Sequence, residues 1–390
     1  MTDLPAPGRL VAIDVARCLA LLGMVATHVL VARDPDGSLS FGQALAGGRA
    51  SALFAVLAGV SIALMTGRRL PVTGSARGRA SAGLAVRAVL VAAVGLVLGE
   101  VGSGIAVILT YYGVVFVLAL PFLGLSARSL ALLAAGWLVV APVVSHLVRP
   151  SLPERQYASP TWGQLVADPG GLLAELTFTG YYPAVPWLAY VLAGMAVGRL
   201  DLTSRRTAGL LVAGGAAAAL LATAASRVLT AGTEVQRALL VEPPAQDVDG
   251  AALLDRIAAG LPGTTPTGGS WQWLLVVAPH TATPFDLLQT TGSALLVIGA
   301  ALLALSVAGA VTGRAVALFF GAGAMTLTLY SVHVVARSQG FLPDTLRDSY
   351  LFHVLLLLGI GSVFAATRSR GPLEGLVGAA SRAAAGRSGP

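Results

Sequence analysis

The sequence predicts an all-α, polytopic transmembrane helix bundle of about ten spans, with both termini on the cytoplasmic side. Three observations carry that expectation: an apolar composition, apolar runs that recur along the chain, and an arginine asymmetry between alternate loops. Of 390 residues, 56% are hydrophobic and only 11% are charged, and the mean hydropathy is +0.80. Soluble domains carry about 25% charged residues, so this chain cannot clothe a water-facing surface and its solvent is the bilayer. The 47 glycines read as packing residues that let helix backbones approach closely in lipid.

Each span needs about 20 residues. The candidates are 10–31, 50–67, 82–99, 104–123, 128–148, 181–199, 207–229, 285–308, 314–336 and 349–367. Arginine accumulates on the cytoplasmic side of membrane proteins. Counted over alternate loops, one side holds 15 Arg against Asp3, Asp201 and Glu374, and the other holds nine Arg against 14 acids. The first side is therefore expected inside, with both termini on it, and an odd number of spans would scramble the split. Arg9 followed by an apolar run resembles a signal peptide. Asp14 and Arg17 interrupt that run, and Ala26-Thr27-His28 is a poor cleavage site, so it reads as a retained first span.

The chain reads as one domain over 1–390, with two long outer loops at 149–180 and 230–284. Within the second, Trp271 to Pro279 is apolar but too short to span, which suggests a re-entrant or interfacial piece with its tryptophans at headgroup level. Cytoplasmic loops are short. No clear internal repeat appears, which weighs mildly against a transporter. The expected setting is a multi-pass protein of the cell membrane, and the bilayer is the first partner. Nothing calls for nucleic acid, and a homo-oligomer is left open.

The single cysteine, Cys18, excludes an intrachain disulfide framework. No Cys or His spacing suits a metal, and no Walker or Rossmann glycine motif occurs. All 25 basic residues are Arg, a pattern that coding bias explains.

The first span carries the most information. On a helical wheel Arg17 lies about 60° and His28 about 40° from Asp14, so the three share a face. Asp14 and Arg17 stand three apart and can pair near the cytoplasmic end. His28 is about 16 Å further along the axis. Ionisable residues in a span are costly and face a cavity or a partner, so this stripe reads either as a polar path through the bundle or as a packing ion pair plus an interfacial histidine. His28, His146, His280, His333 and His353 all fall at outer ends of spans. Interfacial tolerance explains His146 and His353. His28, His280 and His333 are the stronger candidates, because a neutral imidazole can take a proton from an attacking hydroxyl or amine. His280 and Trp271, with His333 and Tyr330 on a shared face, are expected to line an acceptor entrance near His28. Arg68, Arg69, Arg77, Arg79 and Arg87 form a loop without acids. The topology signal accounts for it, and a polyphosphate site such as a coenzyme A nucleotide would also suit it.

Asp14-x-x-Arg17 with His28 eleven residues on resembles the first span of the transmembrane acyltransferases. That superfamily includes the acyltransferase-three proteins, the heparan-alpha-glucosaminide N-acetyltransferases and the YeiB-like bacterial membrane proteins. Gly47-Gly48-Arg49-Ala50-Ser51-Ala52-Leu53-Phe54 leading to Ala58-Gly59-Val60-Ser61 is similar to the last two groups. So are Gly180-Tyr181-Tyr182-Pro183 with Gly194-Met195-Ala196-Val197-Gly198-Arg199, and Gly323 to Tyr330. The pieces spread over nearly the whole chain. The resemblance implies that acyl-CoA, acetyl-CoA in the heparan-alpha-glucosaminide branch, binds from the cytoplasm as cosubstrate, without a metal. Its acyl group would pass to a sugar, lipid or small-molecule acceptor outside. It also implies His28 as general base or transient acyl carrier, and Arg17, Arg68 and Arg69 as coenzyme ligands. Two departures stand: the loop from Val31 to Arg49 lacks the histidine of the heparan-alpha-glucosaminide pattern, and the acyltransferase-three RxxR element is not cleanly reproduced. A small-molecule or ion transporter using the Asp14–Arg17–His28 stripe, and a membrane scaffold without chemistry, are the other readings.

Overall fold

The computed structural model describes residues 10–153, 159–240 and 249–386. Asp3, Arg9, Glu154, Arg155, Glu242, Asp247 and Arg387, which enter the charge count, lie outside the described residues. The chain opens with α1 (Val11–Val29), α2 (Phe41–Ala46), α3 (Arg49–Met65), α4 (Gly74–Gly99), α5 (Leu109–Ala119) and α6 (Ala127–Val148). The segment after α6 holds α7 (Trp162–Ala167) and α8 (Pro169–Ala174), and α9 (Ala184–Gly198) and α10 (Arg205–Thr230) follow. The segment between α10 and α13 carries α11 (Thr233–Leu239) and α12 (Gly250–Ile257). The chain continues with α13 (Pro284–Val307), α14 (Ala310–Phe319), α15 (Thr326–Ala336), α16 (Asp344–Arg347), α17 (Tyr350–Ala366) and α18 (Pro372–Ala384). Among the described residues the only extended pairing is an isolated bridge between Arg33 and Leu39.

Six helical stretches are long and apolar enough to cross a membrane: Val11–Val29, Phe41–Met65, Gly74–Gly99, Ala127–Ser151, Arg205–Thr230 and Pro284–Val307. Four shorter apolar helices, Leu109–Phe122, Ala184–Gly198, Thr326–Ala336 and Tyr350–Ala366, complete the bundle. The expected segment 314–336 is not one helix. It breaks through a 3-10 turn at Gly321–Ala324, between α14 and α15, and Gly321 and Gly323 supply the weak helix propensity there. Glu374, on the amphipathic α18, caps the new start: its carboxylate accepts from the Leu327 and Thr328 amides at 2.7 and 3.1 Å and from Thr328 Oγ1 at 2.6 Å. A negative group at a helix N-terminus satisfies orphan N–H groups and complements the helix dipole.

The centre of the bundle is α9, which buries 13 of its 15 residues and packs against α3, α5 and α6. The α3–α9 crossing is close because glycines face each other. A Cβ at Gly194 would stand 1.9 Å from Val56 O, and one at Gly59 would stand 2.2 Å from Val191 O. Both glycines belong to motifs read in the sequence. Arg199, 4% exposed, ties off this crossing at the next turn. Its guanidinium donates to the carbonyls of Ala63, Thr66, Arg68 and Leu123 and to Thr66 Oγ1, at 2.7–3.1 Å. One buried cation thus serves carbonyl groups at the ends of two neighbouring helical segments, where the negative end of the dipole favours it.

The two tryptophans of the Trp271 to Pro279 piece have opposite environments. Trp273 is fully buried and forms a small separate core with Leu239, Leu253, Ile257, Val276 and Ala278, whereas Trp271 is 61% exposed. Part of the apolar run therefore packs on α11 and α12, partners that the sequence alone does not display.

Candidate active site: two cavities along the first helix

α1 lies among α3, α13, α15 and α17 and carries polar residues toward two cavities. Asp14 and Arg17 pair at 3.1 Å, and Arg17 Nη2 donates to Ser61 Oγ at 2.6 Å. Arg17 and Ser61 line a largely apolar cavity of about 310 Å³ with Arg87, Tyr112, Phe116 and Glu374. That volume lies at the lower end of the range of small-molecule sites, about 300–1,000 Å³. Arg87 gives the cavity wall a second guanidinium group, and its Nε is buried without a hydrogen-bond partner.

His28, Met24 and Thr27 face a second cavity, of about 660 Å³, lined also by Gln43, Ser51, Tyr181, Tyr182 and His280. The wall between the two is thin. Tyr112 lines the smaller cavity, and its hydroxyl donates to the Ser51 carbonyl at 3.4 Å, on a residue that lines the larger one. Gly48, at φ +67, lets the α2–α3 corner close onto Pro279: a Cβ there would stand 3.1 Å from Pro279 Cβ. That corner braces the loop presenting His280, which itself holds a left-handed φ of 60, uncommon for a non-glycine residue and frequent at functional sites. The His280 ring packs on Tyr181 and Tyr182, with centroids 5.0 and 5.6 Å apart. Below it, the buried Asp286 accepts from the Ala282 amide at 3.0 Å while Thr283 Oγ1 caps the Asp286 amide at 3.1 Å, so the start of α13 anchors the loop.

His28 continues into a row of histidines. His28 Nδ1 lies 3.1 Å from His333 Nε2, His333 Nδ1 lies 3.2 Å from His353 Nδ1, and His353 Nε2 lies 2.9 Å from the Arg347 carbonyl. His333 and His353 are fully buried. The rings of His28 and His333 are nearly parallel, at 9°.

The structure thus brings His28, His280 and His333 together at one end of the bundle. Tyr330 is buried one turn from His333, with its hydroxyl accepting from the Ile108 amide at 3.4 Å, and it does not line the His28 cavity. Trp271 is also absent from that lining. His353, which interfacial tolerance explained in the sequence, is inside the bundle against His333. His146 is half-buried on α6, away from the row. Arg68 and Arg69 lie just beyond Leu64 and Met65 of the smaller cavity without lining it. Arg69 pairs with Asp201 at 3.3 Å, and the Arg68 carbonyl is held by Arg199. Arg87 is the member of the basic loop and helix that reaches the cavity. Its position eight residues after Arg79, well inside an apolar helix, is the signal that separates it from the loop arginines. Among the described residues no cluster of His, Cys, Asp or Glu is arranged to hold a metal ion.

No curated protein matches the chain closely. The family profile described as heparan-alpha-glucosaminide N-acetyltransferase, catalytic, matches residues 9–230. That stretch carries Asp14, Arg17, His28, Ser61, Arg87, Tyr112 and Tyr181, while His280, His333 and His353 come from the remainder. Because the match spans more than half of the chain, this protein belongs to the heparan-alpha-glucosaminide N-acetyltransferase catalytic family.

Proposed function

We propose that this protein is a multi-pass acyltransferase of the cell membrane, with ten spans and both termini inside, that moves an acetyl group from cytoplasmic acetyl-CoA to an amine or hydroxyl acceptor on the outer side. The observation that carries the reading is the pair of cavities on one helix. Arg17 lines one and His28 lines the other, and their separation of eleven positions spans about 16 Å. The cofactor arm would enter the smaller cavity, with its polar groups facing Arg17 and Arg87. Arg68 and Arg69 would meet the nucleotide phosphates outside the mouth, since guanidinium groups bind phosphate bidentately. The acetyl thioester would approach the Tyr112–Ser51 layer from below, and the acceptor would occupy the larger cavity between His28 and His280.

The step balances simply. The acceptor nitrogen or oxygen bonds to the thioester carbonyl carbon, the carbon–sulfur bond breaks, and coenzyme A leaves as the thiolate with that electron pair. His28 takes the proton lost by the acceptor. General base catalysis is worth about 10²–10⁴-fold, so His28→Ala should lower turnover at least about 100-fold while acetyl-CoA binding stays intact. The assay is thiol release from acetyl-CoA by purified full-length protein, with binding followed separately by calorimetry. Near-normal turnover in His28→Ala rejects the mechanism. Acetyl-CoA-independent, pH-driven uptake of a solute in liposomes would favour the transporter reading instead.

A further inference from the structure

We infer that His333 and His353 are positioning residues that fix the tautomer of His28, leaving its Nε2 as an open lone pair at the cavity. The inference rests on the base role proposed for His28, and the geometry behind it is independent of that role.

A neutral imidazole carries one N–H and one lone pair, so each ring in a row passes polarity to the next. The row has a fixed end. A carbonyl oxygen only accepts, so His353 Nε2, 2.9 Å from Arg347 O, must carry the proton. His353 Nδ1 is then a lone pair, and His333 Nδ1, 3.2 Å away, must donate to it. His333 Nε2 becomes the acceptor, and His28 Nδ1, 3.1 Å away, must donate in turn. The one remaining ring nitrogen, His28 Nε2, is bare on the half-buried residue that lines the 660 Å³ cavity. Reversing the polarity would place two lone pairs face to face at Arg347 O, in a site with no water access to His333 or His353, and an unmade buried hydrogen bond is costly.

The fixed end is itself held. Arg337 Nη1 donates to the same Arg347 carbonyl at 3.1 Å and also reaches the Asp348 carboxylate. Arg347 pairs with Asp344 at 3.0 Å and with Asp348 at 3.2 Å. The loop between α15 and α17 therefore orients a backbone oxygen that sets the state of a ring three residues along the row. A histidine base oriented through its other nitrogen by a hydrogen-bonded partner is a recurring catalytic arrangement. Here two further histidines and a carbonyl fill the place of the usual carboxylate.

The test reads the tautomer directly. Full-length protein in nanodiscs, labelled with ¹⁵N at histidine, distinguishes a protonated from a bare ring nitrogen, and His28→Ala assigns the His28 pair of signals. The wild type should show His28 protonated on Nδ1 and bare on Nε2. In His353→Asn, the side-chain oxygen replaces the Nδ1 acceptor, and the His28 tautomer should stay. In His353→Leu, His333 loses its acceptor. His28 should then populate both tautomers, and thiol release from acetyl-CoA should fall at least about 10-fold in kcat with KM unchanged, part of the 10²–10⁴ worth of a base. Wild-type His28 protonated on Nε2, or an unchanged His28 tautomer in His353→Leu, overturns the inference. A wild-type Nδ1–H signal combined with full turnover in His28→Ala would instead overturn the base role and leave the tautomer assignment standing.

Discussion

Replacing Arg199 with Met removes the cation that closes one end of the α3–α9 crossing while keeping most of the side-chain volume. The structure sets the magnitude. Of the four carbonyls that Arg199 serves, Ala63 O also accepts from the Arg68 and Thr66 amides at 2.9 and 3.2 Å, so it keeps a partner. The Leu123 carbonyl, on a fully buried residue, would lose the donor that now reaches it at 2.7 Å. An unsatisfied buried acceptor costs about 1–3 kcal/mol, and that sets the expected loss. Arg199→Lys places a charge in the same space, but three donors without the planar fork cannot reproduce five bonds, and the loss should be intermediate. The assay is thermal unfolding of purified protein in one detergent. At about 2–4 °C per kcal/mol, Arg199→Met should melt at least about 2 °C below the wild type, with Arg199→Lys between them. An Arg199→Met protein as stable as the wild type would show that water replaces the guanidinium at these carbonyls, and the clamp would be refuted.

Arg17→Gln and Arg87→Gln should each weaken acetyl-CoA binding about 10-fold, roughly the 1.5 kcal/mol of one hydrogen bond to a charged group, read by calorimetry. Arg68→Gln with Arg69→Gln should act mainly through salt-dependent attraction, so their effect should shrink as ionic strength rises, and equal affinity at low salt would return them to a purely topological role. Reporter fusions after residues 75 and 380 should read cytoplasmic and those after 160 and 250 should read external, and an external signal at 380 would break the even count of spans.

Much of this architecture was legible in the sequence, because the signals involved are local. Apolar length marks the helices, and every segment expected from it overlies a helix or the broken α14–α15 pair. The i, i+3 spacing of Asp14 and Arg17 follows from helix pitch alone, and the ion pair forms as that spacing requires. The glycines of the Ala58-Gly59-Val60-Ser61 and Gly194 to Arg199 motifs announce close packing, though only contact shows that they meet each other. What the tertiary structure decided is every relation between distant segments. His353 looks like any histidine near the end of an apolar run until α17 brings it against His333, twenty residues earlier, and through it to His28 on α1. Arg87 belongs to a basic cluster by sequence, and only the packing of α4 puts it in the wall of the smaller cavity while Arg69 turns to Asp201. That Trp273 packs with residues of α11 and α12 is likewise visible only in the folded chain. Helix formation depends on neighbours within four residues, which a sequence displays. The polarity of a hydrogen-bonded row depends on which carbonyl terminates it, and that is set only when α15, α17 and the loop joining them come together.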